Sequence, residues 1–148
     1  MSIVEIPIPE SLRKVAHKKA GEVGTLRNSI TKGSGNVAGA LGEMVVAAYT
    51  GAEIADQYDY DLILPNGSRA EVKTKRTTVF PDASYECSIA AYNTAQLTEA
   101  YCFVRVLNSL SIAFILGWMP RQEYFEKATF HRAGEVDPDN DFVFKADC

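Results

Sequence analysis

An acid-x-lysine motif, Glu71-Val72-Lys73, is the segment of this chain most suited to chemistry, and a second acid, Asp61, lies ten residues before it. Carboxylates brought together on neighbouring strands supply the oxygen ligands that Mg²⁺ or Mn²⁺ takes in proteins. A lysine beside such a cation can orient or help to deprotonate a water, or neutralise the charge of a transition state. These residue types at this spacing predict a site that hydrolyses phosphodiester bonds.

A third acid, Glu43, is the only charged residue between Val37 and Thr50. A helix this rich in apolar and small residues is usually buried, and a buried carboxylate is costly unless it is hydrogen-bonded, paired or bound to a metal. Glu43 therefore needs a partner. The alternative is that Glu43 lies on a narrow exposed stripe of the helix or pairs with a lysine.

The segments 58–64 and 69–75 have the pattern of a β-hairpin around Pro65-Asn66-Gly67. A two-residue turn at Asn66-Gly67 would place Asp61 and Glu71 on opposite faces. A three-residue loop fits better, because proline suits the first central position of a type I turn and glycine suits the left-handed residue that follows. Leu64 then pairs with Ser68, and Asp61 lies opposite Glu71.

In that register the two carboxylates repel each other unless a cation lies between them. The alternative is a solvated hairpin face with two ordinary ion pairs, Asp59 with Lys73 and Glu71 with Arg69. Asp59 lies on the same face as Asp61 and could replace or assist it. Asp61 is preferred because it is opposite Glu71.

The remaining elements follow from periodicity and capping signals. The sequence predicts helices over residues 10–23, 37–50, 93–100 and 120–127, and strands over residues 101–107 and 112–118. The first helix is amphipathic and basic, the second should stop at Gly51, and Asn93 with Gln96 can form a capping box for the third.

The length of 148 residues and the hydrophobic content of 47% predict one compact domain. We divide it into a basic N-terminal helix and loop (1–33), a core (34–128) and a C-terminal extension (129–148). No apolar run of about 18 residues predicts a membrane span, so we expect a cytoplasmic location. Residues 31–36 lack the ending of a nucleotide-binding P-loop, and the three widely separated cysteines predict free thiols.

The net charge of −4 argues mildly against a nucleic-acid partner, but the charge is unevenly distributed. Residues 1–35 carry six basic and three acidic side chains, and part of the central acidity is the proposed metal site. The candidates for contacts with a DNA backbone are Arg13, Lys14, Lys18, Lys19, Arg27, Lys32, Lys75 and Arg76.

The order of a helix with Glu43, a hairpin with Asp61, and then Glu71-Val72-Lys73, followed by further strands and a helix, resembles the PD-(D/E)XK nuclease superfamily over residues 34–116. The resemblance implies an α/β fold with a restriction-endonuclease-like α-β-β-β-α-β core, in which helices flank a mixed sheet. This chain lacks the proline that precedes the first acid in the motif's name, as many members do.

The same resemblance implies residue roles. Asp61 and Glu71 match the metal-binding acids, Lys73 the catalytic lysine, and Glu43 the helix glutamate that binds or positions the metal. The Val72 carbonyl would complete the Mg²⁺ or Mn²⁺ site, and Gln96 could reach the metal-bound water or DNA instead of capping its helix.

The expected activity is that of a structure-selective or weakly sequence-specific DNA endonuclease, phage-encoded in one interpretation and dimeric by analogy with the family. Two alternatives stay open. One is a nuclease that acts on RNA, and the other is a non-catalytic module on the same fold that binds nucleic acid or protein.

Overall fold

The computed structural model describes residues 3–24, 34–55, 60–81, 86–90, 97–131 and 143–147, and these form a mixed α/β fold. The helices are α1 (Glu10–Gly24), α2 (Ser34–Thr50) and α3 (Arg121–Lys127). The strands are β1 (Val4–Pro7), β2 (Glu53–Ile54), β3 (Leu62–Ile63), β4 (Arg69–Thr77), β5 (Glu86–Ala90), β6 (Ala100–Leu107), β7 (Ile112–Pro120), β8 (Thr129–His131) and β9 (Val143–Asp147).

The larger sheet has six strands in the order β1-β7-β6-β4-β3-β2. It is mixed, because β4 and β6 run parallel while the other neighbours in it are antiparallel. A smaller antiparallel sheet has the order β5-β9-β8. The strand that carries the acid-x-lysine motif, β4, therefore lies inside the larger sheet, between β6 and the short β3.

Successive side chains of a strand point to opposite faces of the sheet, and each face here has its own core. On one face, α1 and α2 pack over small and branched side chains such as Val104 and Val106, and Leu41 of α2 is fully buried there. On the other face, an aromatic cluster around Tyr101 packs against Tyr124 of α3 and the buried residues of β5. The sheet is thus covered on both faces.

The structure confirms most of the predicted elements. The helix predicted over 10–23 is α1, and the strands predicted over 101–107 and 112–118 are β6 and β7. The helix predicted over 37–50 begins three residues earlier, at Ser34, and ends at Thr50. Gly51 follows with φ of 78°, and its N–H donates to the Ala47 carbonyl at 2.8 Å, which is the predicted glycine stop.

The helix predicted over 93–100 is wrong at its C-terminal end. Residues 97–99 are not helical and Ala100 begins β6, while residues 91–96 lie outside the described part of the chain. Pairing accounts for the difference, because Ala100 is the register partner of Ala70 on β4 and of Pro120 on β7. Tertiary pairing overrides local helix propensity there.

The expectation of free thiols is confirmed for Cys102, which is buried, and wrong for Cys87, which is disulfide-bonded. Cysteine spacing alone did not reveal that β5 pairs with β9, which puts Cys87 opposite Ala146 near the end of the chain. No described helix is long and apolar enough to cross a membrane.

Candidate active site

The hairpin that carries Asp61 has the predicted three-residue loop. The Leu64 N–H donates to the Ser68 carbonyl at 2.8 Å, and the Gly67 N–H donates to the Leu64 carbonyl at 2.8 Å. Gly67 has φ of 87°, a left-handed conformation that glycine adopts without strain. Leu62 pairs with Ala70, so the predicted register is confirmed.

The hairpin ladder stops before the acid-x-lysine motif, because β3 is two residues long. In place of a strand carbonyl, the Asp61 carboxylate accepts a hydrogen bond of 2.8 Å from the Val72 N–H to its Oδ2. The N–H and C=O of one strand residue point to the same edge, so the Val72 carbonyl also faces the Asp61 side. Beyond Ala70, no described strand pairs with this edge of β4.

Glu71 and Lys73 share one face of β4, and Lys73 Nζ lies 3.0 Å from Glu71 Oε2. Their side chains are 7% and 15% exposed, so this ion pair is largely removed from water. The second carboxylate oxygen, Glu71 Oε1, is buried and has no hydrogen-bond partner among the described residues. A buried oxygen of this kind is costly unless something fills the position next to it.

Burial is the largest influence on both acids. It raises the pKa of Asp61 to about 7, helped by the negative charge of Glu43 and opposed by hydrogen bonds from Glu71 and the Val72 N–H. Burial also raises the pKa of Glu71 to about 8, although the Lys73 ammonium acts in the opposite direction. Without a cation, burial therefore favours the neutral form of both carboxyl groups.

Glu43 approaches this pair from α2. Lys19 Nζ of α1 lies 3.5 Å from Glu43 Oε2, and the side chains are 28% and 19% exposed. Glu43 also contacts the Asp61 carboxyl group and raises its pKa. The alternative that Glu43 pairs with a lysine is therefore confirmed, and Glu43 also lies next to the Asp61 carboxyl group.

The geometry limits which donors could hold one metal ion. Within the described ranges, no three His, Cys, Asp and Glu side chains converge to hold a metal. Asp61, Glu71 and the Val72 carbonyl make a smaller set with two acids, and hard oxygen donors of this type fit Mg²⁺ or Mn²⁺. Glu71 Oε1, which is buried and accepts no hydrogen bond from the described residues, supports that fit. Glu43 reaches this set through its contact with Asp61.

A tyrosine that the sequence analysis did not single out lies beside Glu71. Tyr101 is its register partner on β6 and is fully buried. Burial raises the pKa of Tyr101, and the Arg121 guanidinium at the start of α3 opposes that rise. Only the parallel pairing of β4 with β6, which was not predicted, places this hydroxyl beside the site.

The residues of α1 that are predicted to contact DNA differ in their exposure and in their contacts within the protein. Arg13 Nη1 donates to the carbonyls of Ile8 at 2.7 Å and Leu110 at 3.4 Å, so it fastens α1 to the sheet. Lys14 is exposed and pairs with Glu10 over 3.9 Å. Lys18 is exposed, and Lys19 is the partner of Glu43.

Four of the predicted site residues, Asp59, Gln96, Arg27 and Lys32, lie outside the described residues. The other two predicted phosphate contacts, Lys75 and Arg76, continue β4 beyond the motif. Lys75 is half-buried and Arg76 is exposed.

A cleft of about 260 Å³ lies beside the carboxylates. Its charged lining residues are Glu43, Lys73, Lys75 and Arg105, and its apolar ones include Phe103 and Leu116. Arg105 was not predicted as a site residue. It is the register partner of Lys75 in the parallel pair, so its position depends on a long-range pairing that no local pattern revealed.

Comparison with models of protein families and with curated proteins finds no match to this chain. The case for a function therefore depends on the residues themselves.

Proposed function

We propose that this protein is a metal-dependent endonuclease that hydrolyses phosphodiester bonds in DNA. One observation carries the proposal: the Asp61 and Glu71 carboxyl groups meet at the edge of β4 that faces β3, with Lys73 Nζ 3.0 Å from Glu71. Two buried acids can hold a divalent metal ion for hydrolysis of a phosphodiester, and an ammonium beside them can stabilise the charge that develops.

Asp61, Glu71 and the Val72 carbonyl would hold Mg²⁺ or Mn²⁺. When bound, the ion polarises the phosphate and lowers the pKa of a water. The Lys73 ammonium, fixed against Glu71, stabilises the charge that develops on the phosphate oxygens or orients the attacking water. The Val72 N–H holds the Asp61 carboxylate in position, and Glu43 positions Asp61 from the side of α2.

The order of elements supports a restriction-endonuclease-like core as part of the proposal. A helix with Glu43 precedes a hairpin with Asp61, and the strand with Glu71 and Lys73 follows. The mixed sheet has helices on both faces. Cutting two strands of one DNA molecule requires two such sites, one for each strand, so the proposal includes a homodimer.

The charges outside the site support a nucleic-acid substrate. Lys18 and Arg76 are exposed, and Lys75 lies beside the motif in the same cleft. Contacts from such cations to phosphates supply affinity without reading sequence. The substrate preference is therefore expected to follow the shape of the DNA.

The test is cleavage of a panel of duplex, single-stranded, flap, nicked and four-way-junction DNA, with an RNA strand included. Wild-type protein should cut at least one DNA with Mg²⁺ or Mn²⁺ and none with a chelator, and Glu71→Gln should lose about 10²-fold or more of the rate. Cleavage of RNA alone would reassign the substrate. Cutting that persists in the chelator, or no cutting of any substrate with either metal, would contradict the proposal.

A further inference from the structure

The cleft beside the acidic site is lined in part by basic residues. Three of its lining residues, Lys73, Lys75 and Arg105, are basic, although the whole chain carries a net charge of −4. Lys73 is already engaged by Glu71 at 3.0 Å. Lys75 lies two residues beyond Lys73 on β4, and Arg105 lies beside Lys75 on β6.

The strand pairing places these two cations side by side. Lys75 and Arg105 are register partners in the parallel pair of β4 and β6, and register partners in a sheet project from the same face. Lys73 is two residues from Lys75 on one strand, so it shares that face at a spacing of about 6.6 Å. This spacing is comparable to the separation of successive phosphates along a nucleic-acid strand.

Partial burial makes these cations better suited to binding than surface lysines. Lys75 and Arg105 are both half-buried, and charges that are partly shielded from water interact more strongly with an anion. Arginine also presents a planar fork of donors that matches two phosphate oxygens at once.

We propose that Lys75 and Arg105 form a subsite for the phosphate next to the one that is cleaved, and that the cleft takes a single nucleic-acid strand. The inference rests on the proposed function, because it places the cleaved phosphate at Asp61, Glu71 and Lys73. The volume of about 260 Å³ is below the roughly 300–1,000 Å³ of sites for drug-sized ligands. That volume has room for about one nucleotide unit, which matches the placement of one strand in the cleft.

The apolar part of the cleft is consistent with that occupant. Phe103 and Leu116 line it and are 3% and 6% exposed, so they form a floor against which a sugar can pack. Single-stranded DNA, or a single-stranded branch of a larger DNA, is the substrate class that this arrangement fits.

The test is equilibrium binding of a fluorescent single-stranded oligonucleotide and of the duplex of the same sequence, with a chelator present so that no cleavage occurs. The single strand should bind more tightly. Arg105→Gln and Lys75→Gln should each weaken its binding about tenfold, and each should reduce the slope of log affinity against log salt by about 0.7. Arg105→Lys keeps the positive charge and loses the planar guanidinium. Its affinity for the single strand should lie between those of wild type and Arg105→Gln.

Lys127→Gln is the matched control, because Lys127 is an exposed lysine of α3 paired with Glu123 and lies outside the cleft lining. It should bind like wild type, and the thermal stability of every variant is measured alongside. Unchanged binding and salt slope in Arg105→Gln and Lys75→Gln, equal losses in Lys127→Gln, or tighter binding of the duplex would overturn the subsite.

The outcome is separable from that of the proposed function. Metal-dependent cleavage by wild type, together with unchanged binding by Arg105→Gln, would overturn the subsite and leave the nuclease assignment standing. Arg105-dependent binding of the single strand without cleavage would support the subsite and count against the assignment.

Discussion

Two acids in this protein stand in an environment that favours their neutral forms. Burial raises the pKa of both Asp61 and Glu71, and the Lys73 ammonium offsets only part of the effect at Glu71. In ordinary structural ion pairs the carboxylate pKa is lowered, as it is at the exposed Glu99 beside Arg69. The contrast supports the proposal that a cation binds between Asp61 and Glu71.

This arrangement predicts the pH dependence of stability without divalent metal. The folded protein binds more protons than the unfolded chain wherever the pH lies between the unfolded and the raised folded pKa values. The free energy of unfolding should therefore be highest in mild acid and fall as pH rises from about 5 to about 9. A change of 1 kcal/mol moves Tm by about 2–4 °C in a domain of this size, so we expect a loss of several degrees by calorimetry or circular dichroism.

Glu71→Gln should flatten this dependence, since a glutamine side chain carries no proton to lose. Glu99→Gln is the control, because the exposed Glu99 has a lowered pKa and opposes the trend only in acid. A wild-type stability that rises between pH 5 and pH 9 in a chelator would show that the two acids are not held in the way described.

At the scale of elements, close packing of α2 on β4 positions Glu43. A Cβ on Gly42 would fall on Thr74 Oγ1 and lie 3.0 Å from both the Cβ and the Cγ2 of Thr74. Threonine is stiff about χ1, so little movement relieves that contact. The glycine lets the helix approach the strand at the position next to Glu43.

Gly42→Ala should lower the free energy of unfolding by about 1–3 kcal/mol because of overpacking, measured by urea denaturation. Gly39→Ala on the same helix is the matched control, since no atom lies within 4 Å of its Cβ position. That change should stabilise the protein by about 0.5–1 kcal/mol. Adding Thr74→Ala to Gly42→Ala should recover part of the loss, and equal effects of the two single glycine variants would refute the close-packing explanation.

Local signals predicted the elements that depend on few neighbours. The loop at Pro65-Asn66-Gly67 fixed the register of Asp61, and Gly51 ended α2, because backbone conformation at those positions depends on residue type. Local signals could not predict the pairings between strands that are distant in sequence. The β1–β7 and β5–β9 contacts join segments far apart in sequence. Neither β5 nor β9 has a strong sequence pattern of its own.

The same distinction applies to the candidate site. The relative positions of Asp61, Glu71 and Lys73 depend on one hairpin and one strand, so they could be predicted from the sequence. Three further contacts depend on how α1 and β6 pack against the rest of the fold. These are Lys19 with Glu43, Tyr101 with Glu71 and Arg105 with Lys75. The alternating pattern of β6 could show that Tyr101 and Arg105 share a face, but it could not show which strand lies next to it.

At the scale of the whole molecule, parts distant in sequence meet around one acidic cluster. The N-terminal helix contributes Lys19, the second helix Glu43, and the hairpin Asp61 and Glu71. A ligand that binds only the folded state should therefore stabilise the whole fold. Binding at 100 times the dissociation constant contributes about 2.7 kcal/mol.

We therefore expect Mg²⁺ or Mn²⁺ to raise the Tm of wild-type protein by several degrees at neutral pH, measured by differential scanning fluorimetry at constant ionic strength. The double variant Asp61→Asn/Glu71→Gln should show little of this shift, because it lacks both ionised ligands. An equal shift in wild type and the double variant would place the cation elsewhere on the molecule.

The most direct test of the central claim is the single-turnover rate at which Lys73→Ala cleaves the preferred DNA with Mg²⁺ or Mn²⁺. We predict a loss of about 10²–10⁴-fold with the fold retained, while Lys127→Ala, which removes an exposed lysine from α3, cuts at the wild-type rate. Cleavage by Lys73→Ala at the wild-type rate would contradict the claim that Glu71, Asp61 and Lys73 form the catalytic site.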